Sequence, residues 1–230
     1  MNYRGLNIPK VSFGNIDSDA LFADKEQELF DFYEANRDRY KKALDIGANI
    51  GVHTVLMARQ GWHVQAFEPD PVHWEIAAKN IYRNVLVIKT SLEQAAVSDV
   101  EGRKSFVRVN GNTTGSHLKG DKAPYGSLNE FEVDVVDCRP LFDWADFAKI
   151  DCEGHEARLL TTLTADQLKH LEIMVEVGNP KNAVEIYQHL SPMGIGMWTQ
   201  QRKWQPLRGL ADMPVHHSEG ALFIGRSAPF

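Results

Sequence analysis

Ala43-Leu-Asp-Ile-Gly-Ala-Asn-Ile-Gly-Val-His-Thr54 is the stretch on which the fold turns. Lys42–Ile46 reads as a short strand, the glycines turn the chain, and Val52 to Gln60 reads as a helix stopped by Gly61. Gly47 lets the backbone pass close to a ligand, and Gly51 lets the helix pack close to a sheet. Asn49 tolerates unusual backbone angles and offers polar atoms. The helix start presents free amides to an anionic or polar group. Taken alone, the stretch also fits a structural turn in any α/β protein.

Moving outward, Trp62 to Phe67 alternates as a second strand that Glu68-Pro69 ends. Glu68 follows Gly51 by 17 residues. A carboxylate at that strand tip is placed to accept hydrogen bonds from the two vicinal hydroxyls of a ribose. Strand, glycine loop and second-strand acid together describe a nucleoside-containing cofactor. The dinucleotide pattern GxGxxG is missing, since the spacing here is Gly47-Ala-Asn-Ile-Gly51. Asp45 also sits just before the loop. A carboxylate there repels a pyrophosphate and attracts an ammonium or a sulfonium. S-adenosylmethionine carries both cations and no phosphate, so the residues favour it over a nicotinamide dinucleotide.

Further out, Asp19 to Tyr40 is helical in pattern, and Val72 to Asn84 is a helix. A third strand lies within 85–100, where VLVIKT and EQAAVS compete and EQAAVS is preferred. Lys104–Asn110, Phe131–Val136, Phe147–Ile150, Glu172–Val177, Gly196–Trp204 and Ala221–Gly225 read as strands. His155–Leu163 and Asn182–Leu190 read as helices. Residues 110–129 are polar, glycine-rich and unpatterned, a long loop that is either a substrate lid or simply mobile. Alternation of strand and helix through the first two thirds predicts a parallel, doubly wound sheet. Ligands in such folds sit at the carboxyl ends of the strands.

The chain has 230 residues, 43% hydrophobic and 24% charged, with a net charge of −6. That suits one α/β domain and disfavours sequence-blind nucleic-acid binding. Two cysteines, Cys138 and Cys152, fit a reducing compartment and no disulfide framework. No apolar run reaches the length a membrane helix needs. The expectation is a cytoplasmic protein with no nucleic-acid or membrane partner.

DIGANIGVHT, AFEPDP, AAVSDVEG and KIDCEGHE, in this order over residues 40–180, resemble the FkbM family of S-adenosylmethionine-dependent methyltransferases. The resemblance implies a class I methyltransferase, Rossmann-like and doubly wound. Its sheet would be mostly parallel and seven-stranded, with an antiparallel C-terminal edge strand. It divides the chain into an N-terminal loop and helical cap (1–40) and the methyltransferase domain (41–230). It also implies O-methylation of a hydroxyl on a small acceptor, a sugar or natural product. Carried over by motif, Asp45, Gly47, Ala48, Asn49 and Gly51 line the methionine half of the cofactor, with His53 and Thr54 at the helix start. Glu68 holds the ribose and Pro69 shapes the turn. Ser98 or Asp99 lies near the adenine, and Asp151 sits beside the methyl group with Glu153 and His155 beyond.

Methyl transfer from a sulfonium is an in-line displacement in which the protein supplies alignment. A hydroxyl acceptor also needs a base. Asp151, Glu153 and His155 are the candidates, with His117 more plausibly a solvated loop residue. A divalent metal on Asp151 and Glu153 is the less favoured alternative. Asp151 would also serve as a helix N-cap. His216-His217 lacks carboxylate partners for a metal. Trp198 and Trp204 read as packing, while Arg202 and Lys203 beside them leave an anionic or sugar-like substrate open. The competing functions are a nicotinamide-dependent oxidoreductase and a cofactor-binding module without catalysis.

Overall fold

A computed structural model describes residues 3–23, 25–123 and 125–230. In chain order the first part holds α1 (Ser18–Leu21), α2 (Lys25–Ala35), β1 (Lys42–Ile46), α3 (Val52–Arg59), β2 (His63–Phe67), α4 (Pro71–Arg83) and β3 (Thr90–Glu93). The middle holds β4 (Ala95–Ser98), β5 (Gly102–Val109), β6 (His117–Leu118), β7 (Leu128–Asp137), α5 (Cys138–Trp144), β8 (Phe147–Ile150) and α6 (Glu156–Leu160). The last part holds β9 (Glu172–Glu176), α7 (Pro180–Leu190), β10 (Gly196–Thr199), β11 (Gln205–Pro206) and β12 (Ala221–Gly225). Among the described residues no helix is long and apolar enough to cross a membrane.

The main sheet runs β11-β10-β12-β9-β8-β1-β2-β3. Strands β3, β2, β1, β8 and β9 are mutually parallel. Both faces of the central strands are buried, as a parallel sheet requires. Leu44, Ile46, Ala148, Ile150, Ile173 and Val175 pack with α5, α6 and α7 on one face. Ala43, Val64, Phe147 and Met174 pack with α2 and α3 on the other. Period-two alternation thus sends neighbouring side chains to opposite helical layers. The second layer is aromatic: Phe32, Tyr33, Tyr40 and Trp62 surround Phe147 and are each almost wholly enclosed. Burial of each such ring is worth about 1.5–3 kcal/mol.

The class is the expected one, and the details differ. The C-terminal edge is antiparallel, as the two-residue β11 against β10, but a second antiparallel strand lies further in: β12 inserts between β9 and β10 and pairs antiparallel with both. With the two-residue β11 the sheet has eight strands, not seven. The third strand of the sheet is Thr90–Glu93, between the two segments weighed for it. Residues 95–98, part of the preferred EQAAVS segment, leave the main sheet and begin a second one, β4-β7-β5-β6. The sequence pattern could not announce that second sheet, because hairpins and parallel strands alternate alike. The predicted 19–40 helix is broken into α1 and α2, and the late strand from Gly196 stops at Thr199. The 110–129 stretch is not one structureless loop: it contains a 3-10 turn at Thr113–Gly115, β6, and the start of β7. His117 is buried in β6 rather than solvated.

Asp70 joins the two sheets. It caps α4 by accepting from the Val72 and His73 amides, and it accepts from Arg108 of β5 at 2.6 Å on both oxygens. Burial alone would raise this carboxyl, yet Arg108 holds it below the ordinary carboxylate value. Arg108→Met should cost about 1–3 kcal/mol, because the two cap amides remain to stabilise the abandoned carboxylate. Denaturant midpoints will check this.

Candidate active site

The carboxyl ends of β1, β2, β8 and β9 open onto a cavity of about 490 Å³. That is the size of a small-molecule or cofactor pocket. The glycine loop builds one wall. Gly47 has φ +80, and a Cβ there would stand 1.8 Å from the Asp151 backbone oxygen. Gly51, at φ +78, touches Ala77 of α4 across a gap that a Cβ would narrow to 3.1 Å. Gly47→Ala should therefore destabilise by more than about 1 kcal/mol and distort the loop, read as a lower melting temperature.

Glu68 stands at the tip of β2, buried, and borders the cavity. Its Oε2 accepts from the Asn49 amide at 2.7 Å and its Oε1 from the Asp70 amide at 2.9 Å. Each oxygen keeps lone-pair capacity. Burial pushes its carboxyl up to about 8 despite those amides. Asn49 sits at φ +52, and its Oδ1 is buried without a hydrogen-bond partner. The cavity therefore offers two acceptor groups with spare capacity.

Gly47, Asn49, His53, Glu68, Pro69, Asp151, Glu153 and His155 all border this one cavity. Asp45, Ala48, Gly51, Thr54, Ser98 and Asp99 do not. Asp45 is wholly buried behind the loop, where its Oδ2 accepts from Thr54 at 2.5 Å and its Oδ1 has no partner. It lies in register with Lys149 of β8, so its charge faces that ammonium from the neighbouring strand. Asp45 and Thr54 thus support the loop from behind. Ser98 is buried in β4 and bonds Lys104 at 2.7 Å, while Asp99 pairs with Arg158 outside the cavity. The cavity wall nearest β4 is instead formed by Ala95, Ala96 and Val97 together with Phe106.

The KIDCEGHE turn is shaped by an acid that the sequence reading passed over. Glu156 accepts from the Cys152 and Gly154 amides and from Asn182 of α7. This holds Glu153 at φ +55, an uncommon conformation for a residue with a side chain. Glu153 accepts from Lys122 at 2.6 Å; burial and the nearby Asp151 charge push it up to about 7. Asp151 accepts from Lys149 at 3.2 Å. His155 has both ring nitrogens engaged, Nδ1 at 2.7 Å from Asp121 and Nε2 at 2.9 Å from Ser98. It clamps the β6–β7 turn to β4, and both ring nitrogens are taken up in that clamp. His53 is likewise committed: Tyr33, held protonated by burial, donates to Nδ1 at 2.9 Å. Nε2 then donates to Glu26 at 2.8 Å. Among the described residues no group of three or more His, Cys, Asp or Glu side chains is placed to hold a metal ion.

Further titratable residues border the cavity, among them Lys25, Glu26, Lys122, Lys149, Glu176 and His217. Lys149 and Glu176 had a sequence signal, each a charge at the end of an apolar strand. Glu26 had none, because only tertiary packing of α2 brings it to His53. Among the described residues the Glu176 carboxylate makes no hydrogen bond or ion pair. Burial, then Asp151 and Glu153, push its carboxyl well above the ordinary value. Trp198 and Trp204 pack on Phe223 and Phe230, and Arg202 is tied to Asp212. None of these three borders the cavity.

The methyltransferase FkbM domain matches residues 45–194, well over half of the chain. The chain belongs to the FkbM methyltransferase family. This sets aside the oxidoreductase reading. The FkbM match begins at Asp45 and spans the glycine loop, Glu68 and the KIDCEGHE turn. No curated protein matches the chain. Among solved structures it is similar to a human methyltransferase 10 domain containing protein (13% identity, 96% of this chain and 89% of that one, TM-score 0.48). It is also similar to the N-terminal domain of human METTL16 (14% identity, 96% and 75%, TM-score 0.48). A third is the O-methyltransferase from Bacillus cereus in complex with SAH (12% identity, 86% and 79%, TM-score 0.44).

Proposed function

We propose that this FkbM methyltransferase uses S-adenosylmethionine to methylate a hydroxyl of a small, sugar-like or natural-product-like acceptor. The observation that carries this is the buried Glu68 carboxylate, bordering the cavity at the second strand tip with lone pairs left for two vicinal hydroxyls. Asn49 Oδ1 supports it as an unpartnered acceptor for the ammonium of the methionine half. When bound, S-adenosylmethionine supplies a methyl group already activated on a sulfonium.

The chain's own residues then align and deprotonate the acceptor. Asp151 and Glu153 border the cavity with an ammonium on each. Glu176 is the carboxylate whose electrons no other group occupies, and it takes the acceptor's proton. Its raised proton affinity makes it a stronger base in the fraction that is ionised. Glu26, Asp151, Glu153 and Glu176 border the cavity alongside Lys25, Lys122 and Lys149, a lining rich in hydrogen-bonding groups that suits a hydroxyl-rich acceptor.

Calorimetry with S-adenosylhomocysteine should show micromolar binding, and labelled methyl groups should pass from S-adenosylmethionine to a hydroxylated acceptor. Absence of binding overturns the cofactor assignment. Binding without transfer to any hydroxyl, nitrogen or carbon acceptor would favour a module without catalysis.

A further inference from the structure

Helix α4 ends in a way its sequence does not favour. Val85, just past the helix cap, lies in the left-handed region at φ +56. Its amide donates to the Tyr82 oxygen and the Leu86 amide to the Ile81 oxygen, the paired bonds of a Schellman turn. Glycine usually fills that place, because a β-branched side chain there is strained. The strain gains no packing. Val85 is 82% exposed, beside Ile88 at 87%, Tyr82 at 76% and Val87 at 53%. Singly exposed apolar residues are ordinary, but four within seven positions form a patch.

The same tip is cationic. Lys79-Asn-Ile-Tyr-Arg-Asn-Val-Leu-Val-Ile-Lys89 carries three cations and no carboxylate. Lys79 is held by Glu75. Among the described residues Arg83 bonds the Asn80 amide oxygen and Lys89 lies against His63, and neither has an acidic partner.

We propose that this tip docks the protein on an anionic lipid surface, with Tyr82, Val85, Val87 and Ile88 entering the interface and Arg83 and Lys89 meeting headgroup charge. An aromatic, aliphatic and cationic mixture is the composition that binds such interfaces. Charge decides against a second copy of this chain as the occupant. A two-fold contact through this tip would bring the same two cations together from both copies. The chain's net charge of −6 opposes approach only weakly, because charges beyond about 8 Å are screened at physiological salt. The loop leads into the start of β3, whereas the cavity opens at the carboxyl ends of the parallel strands. Docking therefore leaves the cavity facing water, and the acceptor arrives from that side.

The full chain should sediment with phosphatidylcholine vesicles containing phosphatidylglycerol, not with phosphatidylcholine alone, and added salt should release it. Val87→Ser combined with Ile88→Ser, both on exposed positions, should weaken partitioning roughly tenfold or more while leaving S-adenosylhomocysteine binding unchanged. Val85→Gly should raise the melting temperature and lower partitioning, separating the strain from the apolar tip. No sedimentation with anionic vesicles, or sedimentation unchanged in the double variant, overturns the proposal. So does a wild-type dimer that the double variant converts to monomer in sedimentation velocity.

Discussion

Glu68→Ala is expected to weaken S-adenosylhomocysteine binding by about 1.5–3 kcal/mol, roughly 10- to 150-fold, the scale of hydrogen bonds to a charged group. The loss has two sources. The ribose hydroxyls lose their acceptor, and the Asn49 and Asp70 amides lose the carboxylate that fixes the loop. The effect also has a pH signature. Burial places the free carboxyl at about 8, while ribose hydroxyls donate to the ionised form. Below that pH the cofactor must displace a proton, so affinity should rise as pH increases toward 8 and flatten above it. Glu68→Gln should remove that dependence. For the free protein the sign is the opposite one: a carboxyl raised on folding stabilises at low pH, and that contribution is lost as pH climbs from the ordinary carboxyl value through about 8. Calorimetry at several pH values reads the binding slope, and an affinity unchanged by Glu68→Ala removes the residue from the site.

Lys149→Met should lower stability by about 3–5 kcal/mol, the cost of stripping the partner from buried charge. For a chain of this length that is a fall in melting temperature of about 6–20 °C. Burial favours the neutral amine, but Asp151, Asp45 and Glu26 together raise Lys149 above its ordinary value and keep it charged. Take that charge away and Asp45, already with one oxygen unpartnered, faces the other carboxylates alone. Adding Asp151→Asn to Lys149→Met should recover part of the loss, since one of the abandoned charges goes with it. Equal melting temperatures for wild type and Lys149→Met would show that the carboxylates are not held by this ammonium.

The glycine loop and the strand tips were legible because they are local. Gly47, Asn49 and Glu68 owe their places to backbone turns that a short motif specifies, and the structure brings them to one cavity. Asp45 was recognisable as important but not as a supporting residue. Which side of a strand a carboxylate takes, and that Thr54 and Lys149 would meet it there, follow from packing between strands and helix. Glu26 was invisible for the same reason, and His217 was weighed only as half of a metal pair, because both are delivered to the cavity from distant parts of the chain. The second sheet was hidden because strand patterning reports pleat and burial, not partner. His155 and His117 show the converse. A histidine in a polar stretch reads as available, and only the structure shows the first spent on Asp121 and Ser98 and the second enclosed.

The insertion of β12 between β9 and β10 bears on how the molecule comes to be made. A ribosome delivers β9 and β10 well before β12. Until β12 emerges, β9 presents a row of unpaired backbone groups on an apolar strand, and β10, paired only with the two-residue β11, has no link to the rest of the sheet. Such an edge invites pairing with other chains. Biosynthesis thus passes through an interval in which the half-built sheet depends on shielding from other nascent chains.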